Sequence, residues 1–234
     1  MYNQPISKFQ SKRQHGLHQS RNCSSAAFNP RLSSTNRHPP QYPQQTSTES
    51  FTLIANVTSG DLSPSIQNWA VTSYHTGAGM AYAVLAAETP RIFYANGTAE
   101  DLSFNRGNVL SDEGTPPTIP AGIVLGAASS ATDSISINDG LGTAGVGITR
   151  GPDPIAKLFV PGGQGFYACE QVPVTGGSSA VMLFEKQDET PAGCADVVLL
   201  PQCSAGSGAT HPTPALSGCY VDVAGIDWSV YYSS

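Results

Sequence analysis

A chain of 234 residues with 39% hydrophobic and only 12% charged side chains can bury a core, which excludes a wholly disordered protein. The net charge of −6 hides a split: residues 1–50 carry six basic side chains and one acidic, whereas the remainder carries five basic and sixteen acidic, a net of −11. Such a body repels a phosphate backbone, so nucleic acid is excluded as a partner of the folded part. No run approaches the roughly eighteen apolar residues of a membrane span.

Residues 1–50 read as disordered. They are rich in Gln, Ser, Asn, His and Pro, and their apolar residues recur at neither strand nor helix period. Nor do they hold a signal peptide, because no apolar run precedes a small-residue cleavage site. From Phe51 the texture changes. FTLIANVT, WAVTSYHT, GMAYAVLA and RIFYANGT are short runs of β-branched, aromatic and aliphatic residues, as strands require. In WAVTSYHT, alternation puts Trp69, Val71, Ser73 and His75 on one face and Ala70, Thr72 and Tyr74 on the other. AGIVLGA, DSISIND, KLFVPG, GFYACE, AVMLFEK and ADVVLLPQC continue the series. The 24 glycines and 18 prolines punctuate it. No window keeps a helical period for three turns. Residues 51–203 are therefore expected to form an all-β domain, an antiparallel β-sandwich or barrel. Residues 204–234 read as a loose tail whose apolar end, CYVDVAGIDWSVYY, could dock or add a strand.

Five cysteines leave one without a partner in the chain, and Cys23, in the disordered head, is the natural odd one. Cys194 and Cys203 bracket a strand whose nine steps of ~3.3 Å hold them roughly 30 Å apart, beyond the ~7 Å reach of a disulfide. Cys169 is then expected to bond Cys203, with Cys194 as the alternative. Zinc is not expected, since Cys194, Cys203, His211 and Cys219 lack the close ligand pair of a zinc knuckle. N-x-S/T sequons stand at Asn22, Asn56 and Asn96. Asn96, in an Asn-Gly turn after RIFYA, is the best glycosylation acceptor and Asn56 the next.

Several patterns resemble chemistry without meeting its requirements. Gly140-Leu-Gly142-Thr-Ala-Gly145 has dinucleotide-fingerprint spacing, but Pro152 and Pro154 forbid the helix that must follow. A glycine-rich hairpin is expected, and no cofactor. Asn138-Asp139-Gly140 starts a calcium-loop pattern that does not continue. His75, alone among histidines in the β region, lacks a serine in a nucleophile elbow. Glu100-Asp101, Asp112-Glu113 and Asp188-Glu189 are adjacent carboxylates in turn-like settings, where solvated loop charge is the ordinary role. No catalytic, cofactor or metal residue is assigned. Trp69, Tyr74, Tyr82, Phe93 and Tyr94 concentrate aromatics in the first strands, where they pack a core or, if exposed, stack on sugar rings.

NVTSGDLSPSIQNWAVTSYHTGAGMAYAVL, RIFYANGTAEDLSFNRGNVLSDEGTPP, PGGQGFYACE and ETPAGCADVVLLPQC together resemble a family of small secreted ascomycete proteins of unknown function, over about 51–203. The YAC…C…C ending is more distantly similar to fungal cell-wall and phialide proteins. The resemblance implies an extracellular or wall-associated β domain, with Cys169, Cys194 and Cys203 matching family cysteines. It implies no catalytic residue. Members usually begin with a cleaved signal peptide, so residues 1–50 are expected to reflect a mis-assigned start. The expected role is non-enzymatic, by binding or as a surface constituent, with wall polysaccharide or a host protein as partner. The alternatives are a carbohydrate-binding module, or a hydrolase using His75 or a carboxylate pair.

Overall fold

The computed structural model describes residues 41–113, 119–126, 134–150 and 153–232. Most of the expected disordered head, with Cys23 and the Asn22 sequon, lies outside the described residues, as does the side chain of Glu113. The strands are β1 (Thr46–Thr48), β2 (Ser50–Ser59), β3 (Ala70–Gly77), β4 (Met80–Ala86) and β5 (Phe93–Asn96). After a short helix α1 (Ala99–Ser103) come β6 (Asn108–Glu113), β7 (Ile119–Val124), β8 (Ser136–Asp139), β9 (Gly147–Ile148) and β10 (Leu158–Phe159). β11 (Phe166–Gln171), β12 (Ala180–Glu185), β13 (Ala195–Ser204), β14 (Pro214–Ala215) and β15 (Ser217–Cys219) follow, with a 3-10 turn at Trp228–Val230.

All ten expected strand runs appear as strands, and the fold is all-β. Eleven strands form one antiparallel sheet in the order β12-β11-β13-β2-β3-β4-β8-β7-β6-β5-β14. Two further pairings, β12 with β4 and β2 with β5, bend the sheet back on itself at both ends. Closure of this kind removes strand edges and encloses one core. Phe51, Leu53, Phe93, Ile137, Leu183 and Leu199 are its fully buried centre.

Period-two alternation decides which side chains enter that core. In β12, Val181 and Leu183 face it, while Met182 and Phe184 pack a second cluster with Val84 and Cys169. Half-buried Tyr74, Tyr82 and Tyr167 rest against this outer cluster. α1 starts on a capping box: the Thr98 hydroxyl takes the Asp101 amide, and the Asp101 carboxylate takes the Thr98 amide.

The glycine-rich segment is the hairpin-like loop that its prolines require. Gly140, Gly142 and Gly145 have φ of 110°, 68° and 88°, conformations that favour glycine. A Cβ on Gly122 of β7 would lie 2.3 Å from the Gly142 nitrogen. The two backbones therefore touch only because neither residue has a side chain.

Three expectations about the chain's ends are corrected. The folded body starts before Phe51, because Thr46–Thr48 pairs with Ser217–Cys219. The segment after Cys203 is not loose. Tyr220 is completely buried, with Trp228 edge-on to it at 4.9 Å, and this apolar content outweighs the chain entropy lost on docking. The favoured Cys169–Cys203 bond is not formed, and the alternative partner, Cys194, takes its place. β11 pairs only with the start of β13, Ala168 opposite Ala195, so Cys169 bonds Cys194 with their Cα atoms 4.5 Å apart. Cys203, at the far end of β13, bonds Cys219, with 5.2 Å between Cα atoms.

Candidate functional site

Most of the residues singled out in the sequence stand apart; Asp112, His211 and Tyr94 are the ones that meet. His75 is exposed on β3 opposite Ala81. Glu100 and Asp101 serve α1 and its contacts with Arg106, and Asp188 and Glu189 are exposed. Phe93 and Tyr94 are buried, Trp69 packs on the core, and Tyr74 and Tyr82 pack on the outer cluster. The five aromatics are thus divided among three environments and form no common platform. Cys194, Cys203 and Cys219 are oxidised, and no metal-binding group of His, Cys, Asp or Glu occurs among the described residues.

Asp112 meets two residues from the C-terminal segment after Cys203. His211 Nε2 lies 3.0 and 3.1 Å from its carboxylate oxygens, and the Ser207 hydroxyl donates to the same group. The imidazole stacks on Tyr94 with ring centres 3.6 Å apart. Burial, then the charge of Asp112, pushes the Tyr94 phenol up to about 12. This is not a nucleophile relay. A Ser-His-Asp site needs its serine on the imidazole, whereas here the carboxylate is the hub that both neighbours grip. The trio clasps residues 207–211 to β6.

A more accommodating arrangement lies where β2, the loop after it and the C-terminal segment meet. The loop is tied by Asp61, whose carboxylate accepts the Leu62 amide at 2.8 Å, the Ile66 amide at 3.1 Å and the Ser65 hydroxyl at 2.6 Å. Burial alone would raise the Asp61 carboxyl, but these hydrogen bonds outweigh it and hold it below the usual range. Ile66, fully buried, pins the loop to the core. The next residue, Gln67, becomes a bracket. Its Oε1 accepts the Val57 amide at 2.7 Å, and its Nε2 donates to Asn56 Oδ1 at 3.1 Å and Asn68 Oδ1 at 3.2 Å.

The facing wall is built by the docked C-terminus. The Cys203–Cys219 bond and Tyr220 place Trp228, whose indole donates to the Val223 carbonyl at 2.8 Å. Asp227 caps the 3-10 turn by accepting from the Ser229 amide and hydroxyl. Between the walls runs a groove of about 670 Å³. Asn56, Thr58, Gln67 and Asn68 line one side, with Ile226, Trp228 and Tyr232 on the other. The volume lies within the range of small-molecule sites, and their mixture of apolar wall and fixed polar groups is present. Among the described residues, no lysine or arginine lines it. Burial, with Tyr220 and Asp153 nearby, raises the Tyr232 phenol, so it stays neutral.

Of the two expected glycosylation sites, Asn96 is half-buried on β5, its Oδ1 accepting from Thr213 at 2.7 Å. Asn56 is only 5% exposed, and a glycan there would have to occupy the groove.

Residues 48–203 match the family described as a domain of unknown function, DUF7907. The chain is also similar to "Antigenic protein SchS34" of Stachybotrys chartarum, with 33% identity over 214 residues, spanning 82% of this chain and 95% of that relative. No solved structure matches.

Proposed function

The chain belongs to the DUF7907 family, and from that premise we propose that it is an extracellular or wall-associated fungal protein that acts by binding, not catalysis. The observation that carries this reading is the pair of disulfides, Cys169–Cys194 and Cys203–Cys219. Such bonds persist in oxidising compartments and are rare in the cytosol. They also lie where constraint matters, one tying β11 to the start of β13 and the other holding the C-terminal wall of the groove.

Three further points support it. The relative is named for antigenicity and comes from a fungus. The half-buried Asp112–His211 pair is engaged in a clasp in which Ser207 sits on the carboxylate and not on the imidazole, which is not the arrangement that activates a serine. The groove offers positioned hydrogen-bonding groups, the equipment of a binding surface. Wall polysaccharide is the favoured partner and a host protein the second, and Asn96 is the proposed glycosylation site.

Fractionation of the producing culture tests the reading, with retention of the oxidised chain on insoluble wall polysaccharide as its second arm. Recovery from medium and wall, with retention on the polysaccharide, is the expected result. Recovery confined to the cytosol with reduced cysteines would end the proposal.

A further inference from the structure

We infer that the groove between Asn56–Asn68 and Ile226–Tyr232 binds a segment of neutral oligosaccharide. This rests on the reading of the protein as a binding protein, and it names the site and the ligand class.

Gln67 decides the chemistry. It grips Asn56 and Asn68 by their carbonyl oxygens, which turns both Nδ2 groups away from it. Neither Nδ2 donates a hydrogen bond among the described residues, and neither is a buried atom lacking a partner. Asn68 is exposed, so solvent or ligand reaches its Nδ2; Asn56 is only 5% exposed and adds little surface. Adjoining Thr58 has a hydroxyl held only by a 3.4 Å contact to the Asp196 carbonyl. The result is a row of neutral donors and acceptors whose orientation is fixed in advance. Fixed groups lose little entropy when they bind.

The opposite wall supplies what a sugar ring needs on its other side. Pyranose rings present apolar C–H faces, which pack on aromatic and aliphatic surface while their hydroxyls reach amides. Half-buried Ile226 and Tyr232 form that wall, backed by Trp228, which is only 4% exposed, and the Tyr232 phenol stays protonated and uncharged.

Other ligand classes fit less well. An anion finds no lysine or arginine on the lining among the described residues and faces a body of net charge −11 beyond residue 50. A cation finds one carboxylate, Asp227, already accepting two hydrogen bonds from Ser229. A peptide adding a strand would need the free edge of β2. β13 pairs with one side of Asn56 and Val57, and Gln67 takes the Val57 amide on the other.

Calorimetric titration of the full oxidised chain with a β-1,3-glucan hexasaccharide, and separately a chitin hexasaccharide, distinguishes the two wall sources of this chemistry. Three variants accompany it. Asn68→Gly removes an exposed carboxamide while tolerating its φ of 65°. Gln67→Ala releases the bracket. His75→Ala is an exposed control on β3. Binding of at least one hexasaccharide, weakened tenfold or more by Asn68→Gly and by Gln67→Ala but not by His75→Ala, is expected. Circular dichroism establishes that each variant is folded, and Asn68→Gly decides the matter if Gln67→Ala is not. Failure of the wild type to bind either sugar overturns the inference, as does unchanged affinity in Asn68→Gly. A glycan found on Asn56 overturns it too, since that glycan would fill the groove. Retention on insoluble wall is scored separately: retained protein with an indifferent groove sinks the site and leaves the general reading standing.

Discussion

Replacing Tyr220 by Phe removes one oxygen from the most constrained point of the C-terminal segment. Tyr220 is fully buried, and its hydroxyl accepts the Ala156 amide at 2.9 Å. Phe keeps the ring against Trp228 but leaves that amide buried without its acceptor. Stranding a buried donor costs about 1–3 kcal/mol, which for a chain of this size lowers Tm by roughly 2–10 °C. The same oxygen gives a pH signature. Burial is the main cause that raises the Tyr220 phenol from 10 to about 12. Its contribution to stability is therefore complete below pH 10 and is lost as pH rises through about 12, because the unfolded chain gives up its proton first. One such proton changes stability by up to about 1.4 kcal/mol per pH unit. Tyr220→Phe lacks it, so the gap between the two proteins closes in alkali. Equilibrium urea unfolding, followed by tryptophan fluorescence at neutral pH and at several values above pH 10, measures both effects. Equal stability at neutral pH, or a gap that stays constant in alkali, would refute the reasoning.

Three more outcomes are expected. Cys203→Ala with Cys219→Ala opens a loop of sequence separation 16 and should cost about 3 kcal/mol, read as a lower urea midpoint. Gly122→Ala places a Cβ against the backbone of Gly142, with no flexible side chain to yield. It should destabilise by about 1–3 kcal/mol or more, seen as a lower Tm. In protein secreted by a fungal host, Asn96→Gln should abolish the mass shift produced by deglycosylation, and Asn56→Gln should leave that shift unchanged.

Strand positions were readable because each run carries its own evidence in β-branched residues, alternation and flanking glycine or proline. β6 carries no such signal, since NVLSDE mixes two apolar residues with four polar ones, and its pairing with β5 and β7 makes it a strand. The short helix α1 did leave a signal, Thr98-x-x-Asp101, in a run too brief to show periodicity. Pairing of cysteines depends on which part of β13 meets β11, a register that spacing along the chain does not contain. That Cys194 and Cys203 do not bond each other followed from strand length alone. The clasp of His211 on Asp112 joins residues 99 positions apart, and the groove needs Gln67 beside Trp228. Sites of that kind are made by topology. Only the amide run Gln67-Asn68 ahead of Trp69 could have drawn attention to one wall.

Mass-spectrometric mapping of unreduced peptides, from the protein recovered outside the cells that make it, bears most directly on the whole account. Linked peptides joining Cys169 to Cys194 and Cys203 to Cys219 are predicted. Those four cysteines found as free thiols, or Cys169 linked to Cys203, would contradict the register of β11 on β13 and, with it, the groove that the second bond holds in place.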